Sequence, residues 1–473
     1  MASFFLNCFA QWHQTPELST QDPEPVTAED DEVDAVVVFE PDGQPKGRGA
    51  NRLFVLTFNN NDQALTDAVI ADLFADVHGA ACVVLSFQEY DLQPSAPVPA
   101  KPLFYDAPGS SAAFNQAGDQ TEPDTARYLR AQRDDAATDA SRLAAFHAAL
   151  GPGYALVADA AMGEHANHAV ADGAEWFGFV RLLVFARRDT SLGAALCADS
   201  GRLTCVVPSG NKASRVAAAA ADGNDPASAP YAAGLSPDKG VVLAYFPTAG
   251  LLCCAAHFHG TNKHGVPERV FDAVRRQQLM RAGEAAAWLV AVHGERSGRA
   301  LARGPTTAGF GNGAELGSCG LVLAGDLNFR VESEFASAED KQAGGKDWVA
   351  VHAGAASRDP KVLRALYLQH DRLRMLLGAR GGVAAPPLVA GCADAVGCAL
   401  AAAHQLLPPT FAYQPNAPPP RPYKTKRAPS WADRVLTRDL ACFLGAPATP
   451  VVCKSLPHVV CSDHEPVVAI FST

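Results

Sequence analysis

An apolar run, Gly320-Leu321-Val322-Leu323-Ala324, stops abruptly at Gly325-Asp326-Leu327-Asn328-Phe329-Arg330. A run this short and this apolar reads as a buried strand. Strand periodicity puts Asp326 and Asn328 on one face, so both point into one cleft. An Asp that can take a proton from water, beside an Asn whose amide can hold an oxygen, is hydrolytic equipment. The same residue types after a strand also make turns, so partners elsewhere in the chain must decide.

Four other stretches end alike. Arg52-Leu53-Phe54-Val55-Leu56-Thr57-Phe58-Asn59 closes on Asn, and Ala81 to Phe87 closes on Gln88-Glu89. Ala256-His257-Phe258-His259 ends a middle strand, and Ser462-Asp463-His464 precedes the last one. Further strands are expected near Tyr154–Ala160, Phe177–Arg187, Gly240–Phe246 and Leu251–Phe258. Helical spacing marks Asp62 to His78 with Asp62 as N-cap, about Asp124 to Leu150, Pro267 to Val292, and Asp359 to Leu377. Strands outnumber helices and pair through hairpins as well as helices. The pattern predicts a layered α+β or α/β sandwich of two mainly antiparallel sheets flanked by helices. One domain over 51–473 is expected, after an acidic leader at 1–50 and with Ala/Gly-rich insertions near 206–238, 295–318 and 379–405.

A net charge of −11 argues against general affinity for nucleic acid or acidic membranes, so a polyanionic ligand must meet a local basic patch. Residues 421–434 supply one, with five basic residues and one acid. Twelve cysteines without a Cys-x-x-Cys pair suit free thiols in a reducing, cytoplasmic compartment. No signal peptide, N-myristoylation site or prenylation box is read at the termini. Phe4, Phe5, Phe9 and Trp12 are candidates for peripheral membrane contact. A zinc site from His257, His259, His264, Cys253 and Cys254 is a weaker alternative, because structural zinc usually shows tighter paired spacing.

In sum, Gly325-Asp326-Leu327-Asn328-Phe329-Arg330 and Pro429-Ser430-Trp431-Ala432-Asp433-Arg434-Val435-Leu436 resemble the two signatures of the inositol polyphosphate 5-phosphatases, within the endonuclease/exonuclease/phosphatase superfamily. Leu406 to Tyr413, Leu368 to Leu373 and Arg275 to Gln278 resemble accompanying segments, over about residues 52–472. The resemblance implies a four-layer α/β/β/α sandwich and Mg²⁺-dependent removal of a 5-phosphate from an inositol phosphate or phosphoinositide. It implies Glu89 and Asn59 as metal ligands, since Mg²⁺ wants oxygens. His257 would neutralise phosphate charge, Asp326 would activate water, and Asn328 would hold an oxygen. Asp433 would pair with His464 and favour its imidazolium, with Asp463 in the same site. Lys424, Lys426 and Arg427 would grip the neighbouring phosphate. Arg434 is counted with these cations, although an ion pair holding the loop suits it better.

This chain departs from that pattern at Phe411-Ala412, Pro237-Asp238-Lys239-Gly240, Ala432 and Glu465. Rival readings are a nuclease or sphingomyelinase on the same scaffold and a non-catalytic phosphoinositide-binding scaffold. The intact Glu89, Asp326, Asn328, His257 and His464 argue against the binder.

Overall fold

A computed structural model describes residues 51–61, 63, 65–90, 103–104, 136–162, 179–208, 239–258, 268–296, 319–331, 346–378, 384–402, 407–425 and 427–473. The leader, Asp62, His259, His264, Lys426 and most of the three insertions lie outside the described residues.

The elements, in chain order, are β1 (Arg52–Asn59), α1 (Asp67–Leu73), β2 (Cys82–Tyr90), β3 (Leu103–Phe104), α2 (Ala136–Leu150), β4 (Tyr154–Met162) and β5 (Phe179–Arg187). Next come α3 (Ser191–Ala198), β6 (Leu203–Pro208), β7 (Gly240–Phe246), β8 (Leu251–His257), α4 (Glu268–Arg296) and β9 (Gly320–Asp326). The C-terminal part adds α5 (Lys346–Ser357), α6 (Pro360–His370), α7 (Arg372–Leu377), β10 (Ala393–Asp394) and α8 (Ala395–Ala401). It closes with β11 (Asp433–Arg438), α9 (Ala441–Leu444), β12 (Thr449–Ser455) and β13 (Val467–Ser472).

One sheet runs β12-β13-β1-β2-β5-β4 and the other β10-β11-β9-β8-β7-β6-β3. Both are mainly antiparallel, but each contains an interior parallel pair, β1–β2 in one and β8–β9 in the other. Parallel neighbours end on the same edge of their sheet. That topology delivers Asn59 and Glu89 together, and His257 and Asp326 together.

The chain is a four-layer α/β/β/α sandwich. Alternation along β9 shows how: Val322 and Ala324 pack into the core between the sheets, while Leu321 and Leu323 pack outward against Leu279 and Ala282 of α4. On the other sheet Phe54 and Leu56 pack outward against Ile70 of α1 and Phe146 of α2. Interior strands buried on both faces must be apolar throughout, which is why these runs were so plain in the sequence. Each fully buried Leu or Val contributes roughly 1.5–3 kcal/mol.

Three expectations are corrected here. The first helix begins at Asp67 rather than Asp62, because Thr66 Oγ1 accepts from Val69 N and caps it there. The helix expected over Asp359–Leu377 breaks at Asp371, which is extended, ends α6 and caps α7. The 379–405 stretch is not wholly insertion: β10 pairs with β11, and α8 follows with Val396 and Ala399 buried in the inter-sheet core.

Both the break and the added strand serve one buried cation. The Arg434 guanidinium bonds Asp371 and Asp394, and its Nε donates to the Trp431 carbonyl at 2.6 Å. Tyr367 also donates to Asp394, at 2.8 Å, and stands edge-on to Trp431. A buried pair contributes little net, but removing one partner strands a charge. Arg434→Met should therefore cost about 3–5 kcal/mol in chemical denaturation. A loss within the error of that measurement would contradict the pairing described.

Candidate active site

Strand register builds one row of the site. His257 of β8 stands beside Asp326 of β9, and Asp326 stands opposite Asp433 of β11. The strands approach so closely that a Cβ at Gly325 would lie 2.0 Å from the Ala256 carbonyl oxygen, so glycine is required ahead of Asp326. Across the sandwich, Asn59 Nδ2 donates to Asp326 Oδ2 at 3.0 Å. A second link, Ser86 Oγ to the Ala324 carbonyl at 2.9 Å, ties the sheets below it.

Two site residues sit in backbone conformations that side-chain-bearing residues seldom adopt. Glu89 has φ 49° and Asn328 has φ 56°. Glu89 lies where the β2–β5 register shifts between Phe87 and Tyr90, and such an irregularity re-aims a side chain. Asn328 is beyond the strand, so its place near Asp326 comes from this turn rather than from strand alternation. Its N–H donates to Asp326 Oδ1 at 3.0 Å, and its Nδ2 donates to the Phe258 carbonyl at 2.9 Å. The Arg330 guanidinium donates to Asn328 Oδ1.

Asp326 is therefore held at both carboxylate oxygens. Burial pushes its pKa up, with the positive charge of His464 opposing that rise. His257 Nε2 lies 3.5 Å from Asp326 Oδ2 and 3.5 Å from Glu89 Oε1.

His464 comes from the loop before β13. Ser462 fixes that loop: its Oγ donates to the Asn59 carbonyl at 2.6 Å and accepts from His464 N at 3.0 Å. The His464 Nδ1 lies 2.9 Å from Asp433 Oδ2, which also accepts from Thr410 Oγ1 at 2.7 Å. Nε2 points toward Asp326 Oδ2 at 3.9 Å. Burial alone would lower the imidazole pKa, but Asp433 and Asp326 overcome it and raise it to about 9. The Phe411 ring, 4.5 Å away centre to centre, covers the imidazole.

The basic loop is less free than its composition suggests. Arg421 is buried, donating to the Ser462 carbonyl at 2.6 Å and lying over Tyr413, with Glu465 3.6 Å away. Glu465, a departure in the sequence, thus draws an arginine inward. Lys424 Nζ donates to Asp463 at 2.8 Å; burial pushes the Asp463 pKa up, but His464 and Lys424 hold it below the usual range. Arg427 is half-buried with its guanidinium 5.5 Å from the Phe411 ring centre. Arg434 is corrected: its side chain is fully buried on Asp371 and Asp394, so it does not bind substrate.

Sequence reasoning did not place Thr410, Arg330 or Lys239 in the site. Thr410 and Arg330 lay inside quoted motifs, while Lys239 sat in a segment noted only for its departure. Lys239 Nζ is 3.4 Å from Glu89 Oε1 and 2.6 Å from His257 Nε2.

The oxygens fit a hard divalent cation. Asp326 and Asp433 bring carboxylate oxygens close together, and Asp433 Oδ1 is buried without a hydrogen-bond partner among the described residues. Glu89 brings a carboxylate that is 29% exposed. The zinc alternative does not fit: Cys253 packs between the sheets and Cys254 against the α4 side, so adjacent thiols face apart.

No protein-family model matches the chain, and no curated protein matches it. Among solved structures, the inositol polyphosphate 5-phosphatase domain of SPsynaptojanin, with inositol (1,4)-bisphosphate and calcium, is 16% identical at TM-score 0.44, over 90% of this chain and 84% of that one. An endonuclease/exonuclease/phosphatase from Beutenbergia cavernae is 13% identical at TM-score 0.37, over 89% and 71%. A Cimex nitrophorin ferrous NO complex is 13% identical at TM-score 0.43, over 90% and 99%.

The His464 environment has a direct test. Its imidazole should titrate near 9 by NMR, charged below that pH and neutral above it. Asp433→Asn removes the carboxylate that holds the proton, so the titration should fall toward about 6.5. A value that stays near 9 would show that Asp433 is not the cause.

Proposed function

We propose that the chain is a Mg²⁺-dependent phosphoesterase that removes a phosphate, by resemblance the 5-phosphate, from inositol polyphosphates or phosphoinositides. The observation that carries this reading is the convergence of Asn59, Glu89, His257, Asp326, Asp433 and His464 from both sheets within side-chain contact of one another. Glu89 and Asn59 would hold Mg²⁺, which when bound neutralises phosphate charge and favours attack by water.

Asp326 takes the proton from the attacking water. Its two hydrogen bonds fix its direction, and a pKa raised by burial makes it the stronger base. Water oxygen bonds to phosphorus as the ester P–O bond breaks; the departing ring oxygen takes up a proton and leaves as a hydroxyl, and Asp326 gives its proton back to solvent. The His464 imidazolium, held by Asp433, donates to a phosphate oxygen and stabilises charge gathering there. His257 faces the same centre from β8, and Asn328 keeps the turn after Asp326 in place through the Phe258 carbonyl.

Substrate class follows from the surroundings. Lys424, bonded to Asp463, and Arg427, over the Phe411 ring that covers His464, with Lys426 beside them in sequence, bring cations suited to a second phosphate on the same small molecule. The net charge of −11 disfavours nucleic acid. We place the reaction in the cytoplasm, a reducing compartment that suits scattered free cysteines, with peripheral contact when the substrate is a lipid.

Asp326→Ala should lower turnover on an inositol polyphosphate by about 10²–10⁴-fold, while thermal unfolding stays cooperative. Steady-state phosphate release and calorimetry measure the two. Turnover near the wild-type rate would refute the role given to Asp326.

A further inference from the structure

Lys239 enters the site from the start of β7, where the next residue, Gly240, is paired with His257. Register therefore fixes where the lysine stem begins. Its ammonium lies 3.4 Å from Glu89 Oε1, 2.6 Å from His257 Nε2 and 3.1 Å from His257 Nδ1. The side chain is 14% exposed, so this is an inward-facing ammonium rather than a solvated one. A lysine ammonium donates three hydrogen bonds and accepts none, so it meets here the same electron-rich groups a metal ion would seek.

We propose that the Lys239 ammonium and a divalent cation are alternative occupants of the space bounded by Glu89, His257 and Asp326. This rests on the metal-dependent reading of the site. Without a divalent ion, the Lys239 ammonium offsets the negative charge of Glu89 and Asp326 and limits their mutual repulsion. When the ion arrives, both cannot stay: a unit and a double positive charge about 4 Å apart repel strongly even at an effective dielectric near 20. The lysine must swing away from Glu89, and that cost weakens metal binding. Lys239 thus sets how tightly the site holds its ion and how readily the ion leaves.

Isothermal titration of the full chain with Mg²⁺, and separately with Ca²⁺, tests this without reference to turnover. Lys239→Met and Lys239→Gln should each bind the ion at least tenfold more tightly than wild type, whereas Lys239→Arg keeps the weaker affinity. Thermal unfolding gives a second readout. Lys239→Met should melt lower than wild type in chelator and regain more on adding the ion. Glu89→Gln locates the site by abolishing binding in every background. Glu89-dependent binding that is unchanged or weaker in both neutral variants would overturn the competition while leaving the metal reading intact. Absence of Glu89-dependent binding in wild type and neutral variants alike would overturn both.

Discussion

The site depends on strand register more than on any single bond. His257, Asp326 and Asp433 share a row because β8, β9 and β11 pair as they do, in a sheet buried on both faces. A slip of one residue would turn each strand's core side chains to the opposite face, so the apolar pattern of Leu321 to Ala324 holds the chemistry in place. The Asn59 bond to Asp326 then locks the row to the opposite sheet.

Around that row the fold invests in buried polar support. Thr57, Gln88 and Ser86 form a hydrogen-bonded chain that reaches the Ala324 carbonyl between the sheets. Arg434 braces the strand that carries Asp433, and Arg421 braces the loop that carries Asp463 and His464. Each brace is an arginine facing buried carboxylate, costly to desolvate and costlier to break. Such supports keep the gathered polar side chains within narrow geometric limits. They also explain why a segment rich in basic residues presents fewer of them to a ligand than its sequence implies.

What the sequence disclosed follows from the same physics. Interior strands such as β1, β7, β8 and β9 were legible to within a residue, because burial on both faces leaves an apolar run with a polar end. The polar ends proved to meet, as Asn59, Glu89, His257 and Asp326 show. Long-range pairings were not legible. Nothing local marks Asp371 as the break between two helices, since its partner Arg434 lies far along the chain. The role of Asp394 was hidden in an Ala/Gly-rich stretch for the same reason. Lys239 escaped notice because its importance lies in which carboxylate it faces. The turned backbones of Glu89 and Asn328 also have no sequence signature beyond residue type.

If these groups gather a divalent cation and a phosphomonoester at one place, the protein is a metal-dependent phosphatase. The most direct measurement is phosphate release from a panel of inositol phosphates and phosphoinositides in Mg²⁺, with and without chelator. Members carrying adjacent ring phosphates should release phosphate, and chelator should stop that release until Mg²⁺ is restored. No release from any member by folded protein, or release indifferent to chelator, would contradict it.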